Sequence, residues 1–585
     1  MPDSSAHRAA SATTIFDMLL RIANFKGEIP RVHPRLLPDG FAQKAVNTRL
    51  TDGAIDPYRQ SRAVHEFATP IETIYKDGAT WLGFAEDVDV VPGPVADNRL
   101  YFTGSGTPKV RAAGVTYELA LTAPAGAPTL TPAGTLNQAL AEAILYTYTF
   151  VTLLDEESAP APLPATVQWS PGMTVTVSGF SAPASGRGVN RLRIYRSQTS
   201  TTGITDIYFV AELPVATTSY VHDLATAPLQ EPIQSQDYDP APAGLRGLTE
   251  LPNGMMAAFD GKSLRFCEPF RPHAWPLKYE LKVNYAIIGL AAFGSTLAVL
   301  TNGTPYIVTG SAPENMTMER LETGLPCVSA RGIVDLGYAA FYPSHDGLVQ
   351  ITPSGTQIVS RGLFSEKEWK ALSPETMFAA RLDGKYVFAH LGGAIDTITG
   401  GTPSTDFSAF AVLQAGGPSP QASVTVYSGG DPGRELATRS IGLIDLTGEQ
   451  PFYVDIISDL EKTPSSLYFQ PTEGKLYILA GLQTVQEFDD ASMPLLALTW
   501  KSRRFQMASV ETFGAIWVET EEGRSETNVL TTRVYADGIL VAQTTDFNRP
   551  IRLPSVLAQR WEIEIEGTAT ISAVQMATTI EEMAQ

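Results

Sequence analysis

The chain has 585 residues, more than one core of ordinary size accommodates, so several domains are expected. Charged residues make up only 18% and hydrophobic ones 44%, and 48 glycines with 42 prolines mark a folded, turn-rich, β-dominated protein. With 62 acidic against 42 basic residues the net charge is −20, which argues against gripping a nucleic-acid backbone by counterion release.

At the front, Ile15, Met18, Leu19 and Ile22 have the spacing of one short amphipathic helix, with Thr13 as its cap. Asp17 interrupts that apolar stretch, which reads as neither signal peptide nor membrane span; synthesis and folding in a cytoplasm are expected. Residues 24–57, NFKGEIPRVHPRLLPDGFAQKAVNTRLTDGAIDP, carry prolines at 30, 34, 38 and 57. Each fixes its own φ and biases the preceding residue toward extended geometry, so up to Pro38 neither helix nor central strand is expected. This strap should run extended along another surface.

Between about 122 and 240 the chain turns Ala-, Pro- and Thr-rich at its edges, with period-2 alternation inside. YTYTFVT (Tyr146, Tyr148, Phe150), MTVTVSGF (Met173, Val175, Val177) and RLRIYRS (Leu192, Ile194) each put apolar groups on one face. With IYFVAEL and TTSYVHD they describe a small antiparallel sandwich of immunoglobulin or fibronectin III type, inserted between proline-flanked linkers.

From Leu245 the rhythm becomes strand, tight Asp-Gly, Asn-Gly or Glu-Gly turn, and returning strand, with turns at Asp260, Asn302, Asp346, Asp383 and Glu473. Their spacing, with IGLIDLTGE at 441–449 as a further hairpin, suits an irregular β-propeller; an open meander is the alternative. SEKEW, with Ser365 and Glu368 at capping-box spacing, predicts a short helix. Near the C-terminus, Trp561, Ile563 and Ile565 alternate with Glu562, Glu564 and Glu566. One face of that strand is expected to be packed and the other an acidic surface, which in an oligomer would form a ring of carboxylates. The expected fold class is all-β, with few short helices.

Motifs for chemistry are scarce. The seven histidines stand singly, Cys267 and Cys327 read as reduced core thiols, and there is no nucleophile elbow, phosphate loop or dinucleotide fingerprint. Asp346 after His345 is explained by its hairpin turn, while Asp87/Asp89 and Asp155/Glu156/Glu157 read as solvated turns. No catalytic, cofactor or metal residues are assigned.

The pieces NFKGEIPRV (24–32), PRLLPDG (34–40), AVNTRLTDGAIDP (45–57), YPSHDGLVQITPSG (342–355), LFSEKEWKALSPETMFAA (363–380), DGKYVF (383–388), TWKSRRFQM (499–507) and RVYADGIL (533–540) occur in an order that resembles the tail nozzle proteins, the tail tubular protein B family, of short-tailed bacteriophages. The resemblance covers most of the chain. It implies a non-enzymatic virion protein, made in the host cytoplasm and placed in the tail. There it would form a homo-hexameric ring, docked on the tail adaptor and near tail fibres, that retains genomic double-stranded DNA and then passes it without specific binding. No cofactor and no membrane insertion are implied. A tail-associated protein that binds host-surface glycans or receptors is the alternative.

On this reading residues 1–121 are a docking segment with the first strands, 122–240 the inserted sandwich, 241–498 the propeller and 499–585 strands completing the platform. Phe25, Pro30, Pro34, Leu37 and Pro38 are then candidates for contact with a neighbouring subunit or the adaptor. Deleting the strap would abolish ring assembly or docking while leaving the propeller folded.

Overall fold

The computed structural model describes residues 19–50, 52–96, 98–199, 205–223, 231–391, 440–448, 450–456, 463–525 and 527–584. These residues are all-β. Among them the only α-helix is Glu366–Ala371, opened by the expected capping box: Ser365 accepts from the Glu368 N–H, and the Glu368 carboxylate accepts from the Ser365 N–H. The expected N-terminal helix is not formed at its described end. Leu19–Ile22 is a strand paired antiparallel with Ile571–Ala577, because so short an apolar run fits either period and the sheet edge supplies backbone partners. Met18 and the residues before it lie outside the described residues.

The chain forms two compact units. Their boundary differs from the divisions drawn at 121, 240 and 498: residues 67–358 form one unit, and described residues 19–66, 359–391 and 440–584 form the other.

In the unit of residues 67–358, four antiparallel sheets of four strands follow one another in chain order, spanning 89–118, 246–282, 287–320 and 334–358. Apolar side chains between them make successive cores. Val91, Tyr101 and Val110 meet Met256 and Trp275; Phe266 and Leu264 meet Leu290 and Val299; Ala298 and Leu300 meet Tyr342 and Val349. The sheets at 246–282 and 287–320 contain the hairpins read from Asp260 and Asn302, and the sheet at 334–358 the one read from Asp346. Between the first and second sheets lies the insert. Thr129–Ala133, Thr174–Ser178 and Ser219–Asp223 form one of its sheets, and Tyr146–Thr152, Val189–Thr199 and Thr205–Pro214 another. Ile144, Tyr146, Val175, Val177, Leu192 and Ile194 fill the space between, as the alternation required.

In the other unit, the hairpin at Asp383 continues into a ten-stranded sheet. Its path runs Phe378–Leu382, Lys385–His390, Ser440–Asp445, Phe452–Ile456, Ala42–Val46, Leu498–Ser502, Ala558–Gly567, Leu530–Ala536 and Ile539–Thr544, with Phe505–Glu511 paired beside Ala558–Gly567. The strand Ala42–Val46 sits mid-sheet, parallel to Phe452–Ile456 and antiparallel to Leu498–Ser502. A separate four-stranded sheet is built from Pro464–Gln470, Lys475–Ala480 and Thr484–Glu487, and its fourth strand, Arg62–Glu66, comes from the N-terminal region.

Candidate functional site

The strap is ordered by what its broken backbone cannot supply for itself. Extended residues between prolines have no ladder of their own, so their polar groups must find partners elsewhere. Glu28 and Tyr453 exchange N–H···O bonds of 2.7 and 2.9 Å, and the Arg31 N–H donates to the Leu363 carbonyl at 2.8 Å. Pro34–Leu36 makes a single 3₁₀ turn with proline at its start, and the Arg504 N–H donates to the Pro34 carbonyl at 3.0 Å. Phe25 is 2% exposed and meets Trp500 edge-on at 4.9 Å, while the Trp500 indole N–H donates to the Lys26 carbonyl at 3.1 Å. Gly27 is required: a Cβ there would stand 2.4 Å from the Tyr453 oxygen.

This placement corrects the candidate contact residues. Phe25, Pro30, Pro34 and Leu37 are buried in the chain's own unit and Pro38 is half-buried, so they are core rather than a free docking face. The physical reason is that Trp500, Tyr453 and Leu363 offer apolar surface and backbone partners within the same chain. The exposed residues of the strap include Arg31, His33, Arg35, Leu36 and Asp39, with Leu36 65% exposed on the 3₁₀ turn.

The acidic strand is likewise corrected. Trp561, Ile563 and Ile565 are fully buried, as the alternation implies. Glu562, however, is only 3% exposed and is held by Arg504 at 2.5 Å and Lys501 at 3.1 Å. Burial pushes its carboxyl up, and the Arg504 hydrogen bond with the Lys501 charge more than offsets that, leaving it below the usual carboxylate range. Glu564 and Glu566 share Arg533 at 3.0 and 2.7 Å, and the Tyr535 hydroxyl also donates to Glu564. Each carboxylate therefore meets a cation on a neighbouring strand, and the expected carboxylate surface is a paired one.

Two polar clusters were not legible as such. Of the run read as a solvated turn, only Asp155 is exposed. Glu156 is buried against the Arg187 guanidinium, with Arg99 at 3.6 Å and His273 Nδ1 at 3.8 Å. Burial pushes the His273 imidazole down to about 3, so it is neutral, and its Nε2–H donates to the Glu157 carbonyl. The Glu157 carboxylate accepts from Thr149, Tyr195, Ser235 and Arg193 at 2.6–3.2 Å. The second cluster is Glu28, on the strap, with Tyr453 and Asp455 of the ten-stranded sheet. Burial raises Glu28 well above its ordinary value and Asp455 to about 6. Cys267 and Cys327 are buried free thiols, pushed up to about 12 by burial. Among the described residues no group of three His, Cys, Asp or Glu is arranged to hold a metal ion, and no helix is long and apolar enough to cross a membrane.

No protein-family model and no curated protein matches the chain. Among solved structures it is similar to the extracellular domain of the one component system BT4673 from B. thetaiotaomicron, at 9% identity over 92% of this chain and 81% of that one, with a TM-score of 0.21. It is also similar to the extracellular domain of the hybrid two component system BT4673 from the same organism, at 8% identity over 91% and 80% of the two chains, with a TM-score of 0.22. At such TM-scores neither neighbour informs fold or function.

Proposed function

We propose that the protein is a structural component of a short phage tail, a nozzle that assembles as a homo-hexameric ring below the tail adaptor and conducts double-stranded DNA. One observation carries this reading. The sequence pieces that resemble the nozzle family are scattered from residue 24 to residue 540, yet seven of the eight, all but 342–355, lie in one compact unit. Their convergence makes them one folded platform rather than unrelated fragments. The net charge of −20 supports passage of DNA without adhesion, and the four-stranded sheets serve as blades of a rigid propeller-like scaffold. The strap contributes to assembly through the exposed Arg35 and Leu36. Electron microscopy of the purified protein or of virions tests the reading: six-fold rings with a channel wide enough for duplex DNA are expected, and a monomer that forms no ring in virions overturns it.

A further inference from the structure

The unit of residues 67–358 holds a recess of about 370 Å³, within the size range of small-ligand sites, where the insert meets the segment 231–238 and Arg271. Its walls combine aromatic side chains with polar groups, most of them engaged within the protein and two of them, Glu231 and Gln234, without a side-chain partner among the described residues. Tyr195 and Phe209 stand edge to face at 5.8 Å, and Tyr238, packed edge-on against His273, also lines the recess from the segment leading out of the insert. Glu157 fixes the floor: four donors hold its carboxylate, and they belong to three different stretches of chain, at 149, 193–195 and 235. Around the rim, the side chains of Glu231 and Gln234 make no hydrogen bond or ion pair among the described residues, while the Arg271 guanidinium donates to the Phe270 carbonyl at 3.2 Å and has no carboxylate partner among them. A second wall is pinned by backbone pairing, Phe209 N–H to the Glu231 carbonyl at 2.9 Å and Ile233 N–H to the Ile207 carbonyl at 2.8 Å.

We infer that this recess is a saccharide-binding site. A pyranose presents an apolar C–H face and a rim of hydroxyls that each donate and accept. The aromatic side chains of Tyr238 and Phe209 in the lining suit the first, and the unpartnered acceptor Glu231 and amide Gln234, with the remaining donors of Arg271, suit the second. The lining holds both carboxylates, Asp155, Glu157 and Glu231, and cations, Arg193 and Arg271, so no single charge dominates. That pattern disfavours a simple anion or cation and suits a hydroxyl-rich ligand. Four hydrogen bonds already order the floor, so the conformational entropy lost on binding is confined to the exposed rim side chains. The site stands apart from the assembly reading above, and either can fail without the other.

The test uses the full-length protein on a printed array of hexose, N-acetylhexosamine and hexuronate trisaccharides. Wild type is expected to be retained by at least one class. Arg271→Ala or Gln234→Ala, both exposed positions whose change spares the core, should weaken retention by about tenfold or more, as expected for loss of a ligand hydrogen bond. Arg549→Ala, an exposed change in the other unit, should leave it unchanged. Loss in either recess variant supports the site. No retention of wild type by any class, or retention that survives both substitutions, overturns it.

Discussion

Asp455 is 4% exposed in the ten-stranded sheet, near the Tyr453 hydroxyl and the Glu28 carboxyl. Burial pushes its carboxyl up to about 6, and the Tyr453 hydrogen bond and Lys44 charge offset only part of the cost. The folded state thus binds this proton more tightly than the unfolded chain does. The stabilisation it gives is complete below about pH 4 and is lost as pH rises through about 6. Asp455→Asn removes that dependence. The stability of wild type relative to the variant should therefore fall by about 2 kcal/mol between about pH 4.5 and pH 7. Hydrogen exchange at the amides of Phe452–Ile456, measured at both pH values, reads the difference; a pH-independent gap would contradict the assignment. Glu562 makes the complementary point at the same scale. It is as buried as Asp455, yet Arg504 and Lys501 hold it charged, so burial alone does not decide a carboxylate's state.

Among elements, the strap changes meaning once its partners are known. The sequence reading has its removal undock a subunit while the rest stays folded. In the structure its removal takes Phe25 from Trp500 and leaves the Tyr453 N–H and carbonyl and the Trp500 indole without partners. Each buried group so orphaned costs about 1–3 kcal/mol, and Phe25→Ala alone about 3–5 kcal/mol. Deletion of residues 24–40 should therefore lower the thermal midpoint of the β signal in circular dichroism, and Phe25→Ala should lower it less. An unchanged melt with assembly alone abolished would restore the docking-arm reading.

What was legible follows from range. The Asp383-Gly384 and Asp537-Gly538 turns have positive φ at both residues, and each joins strands that pair across a two-residue loop, so local composition sufficed. Ser365 with Glu368 sufficed for the helix start. Arg62–Glu66 closing a sheet more than 400 residues away, or Ala42–Val46 lying parallel to Phe452–Ile456, leaves no local trace because pairing partners are chosen by long-range packing. The alternation at 561–566 gave the face each side chain takes but not what covers it: Lys501, Arg504 and Arg533 belong to other segments.

At the scale of the whole molecule the unresolved tension is electrostatic. The DNA-conducting ring proposed above would have to avoid binding its cargo, yet the strand nominated as the repelling surface has its three carboxylates paired with Arg504, Lys501 and Arg533. Repulsion therefore has to come from the summed excess of 62 acidic over 42 basic residues, acting as a field over the surface rather than through one ring of glutamates. The two mechanisms separate experimentally. If the field governs, fluorescence anisotropy with a duplex of about 30 base pairs should detect no binding even at about 20 mM salt, where phosphate contacts are strongest. Replacing Glu564 and Glu566 with Gln should then leave that result unchanged, because it frees one guanidinium against a large residual negative charge. Duplex binding by wild type that weakens steeply with added salt would instead reveal a cationic track and count against the proposal of a conduit that does not hold its DNA.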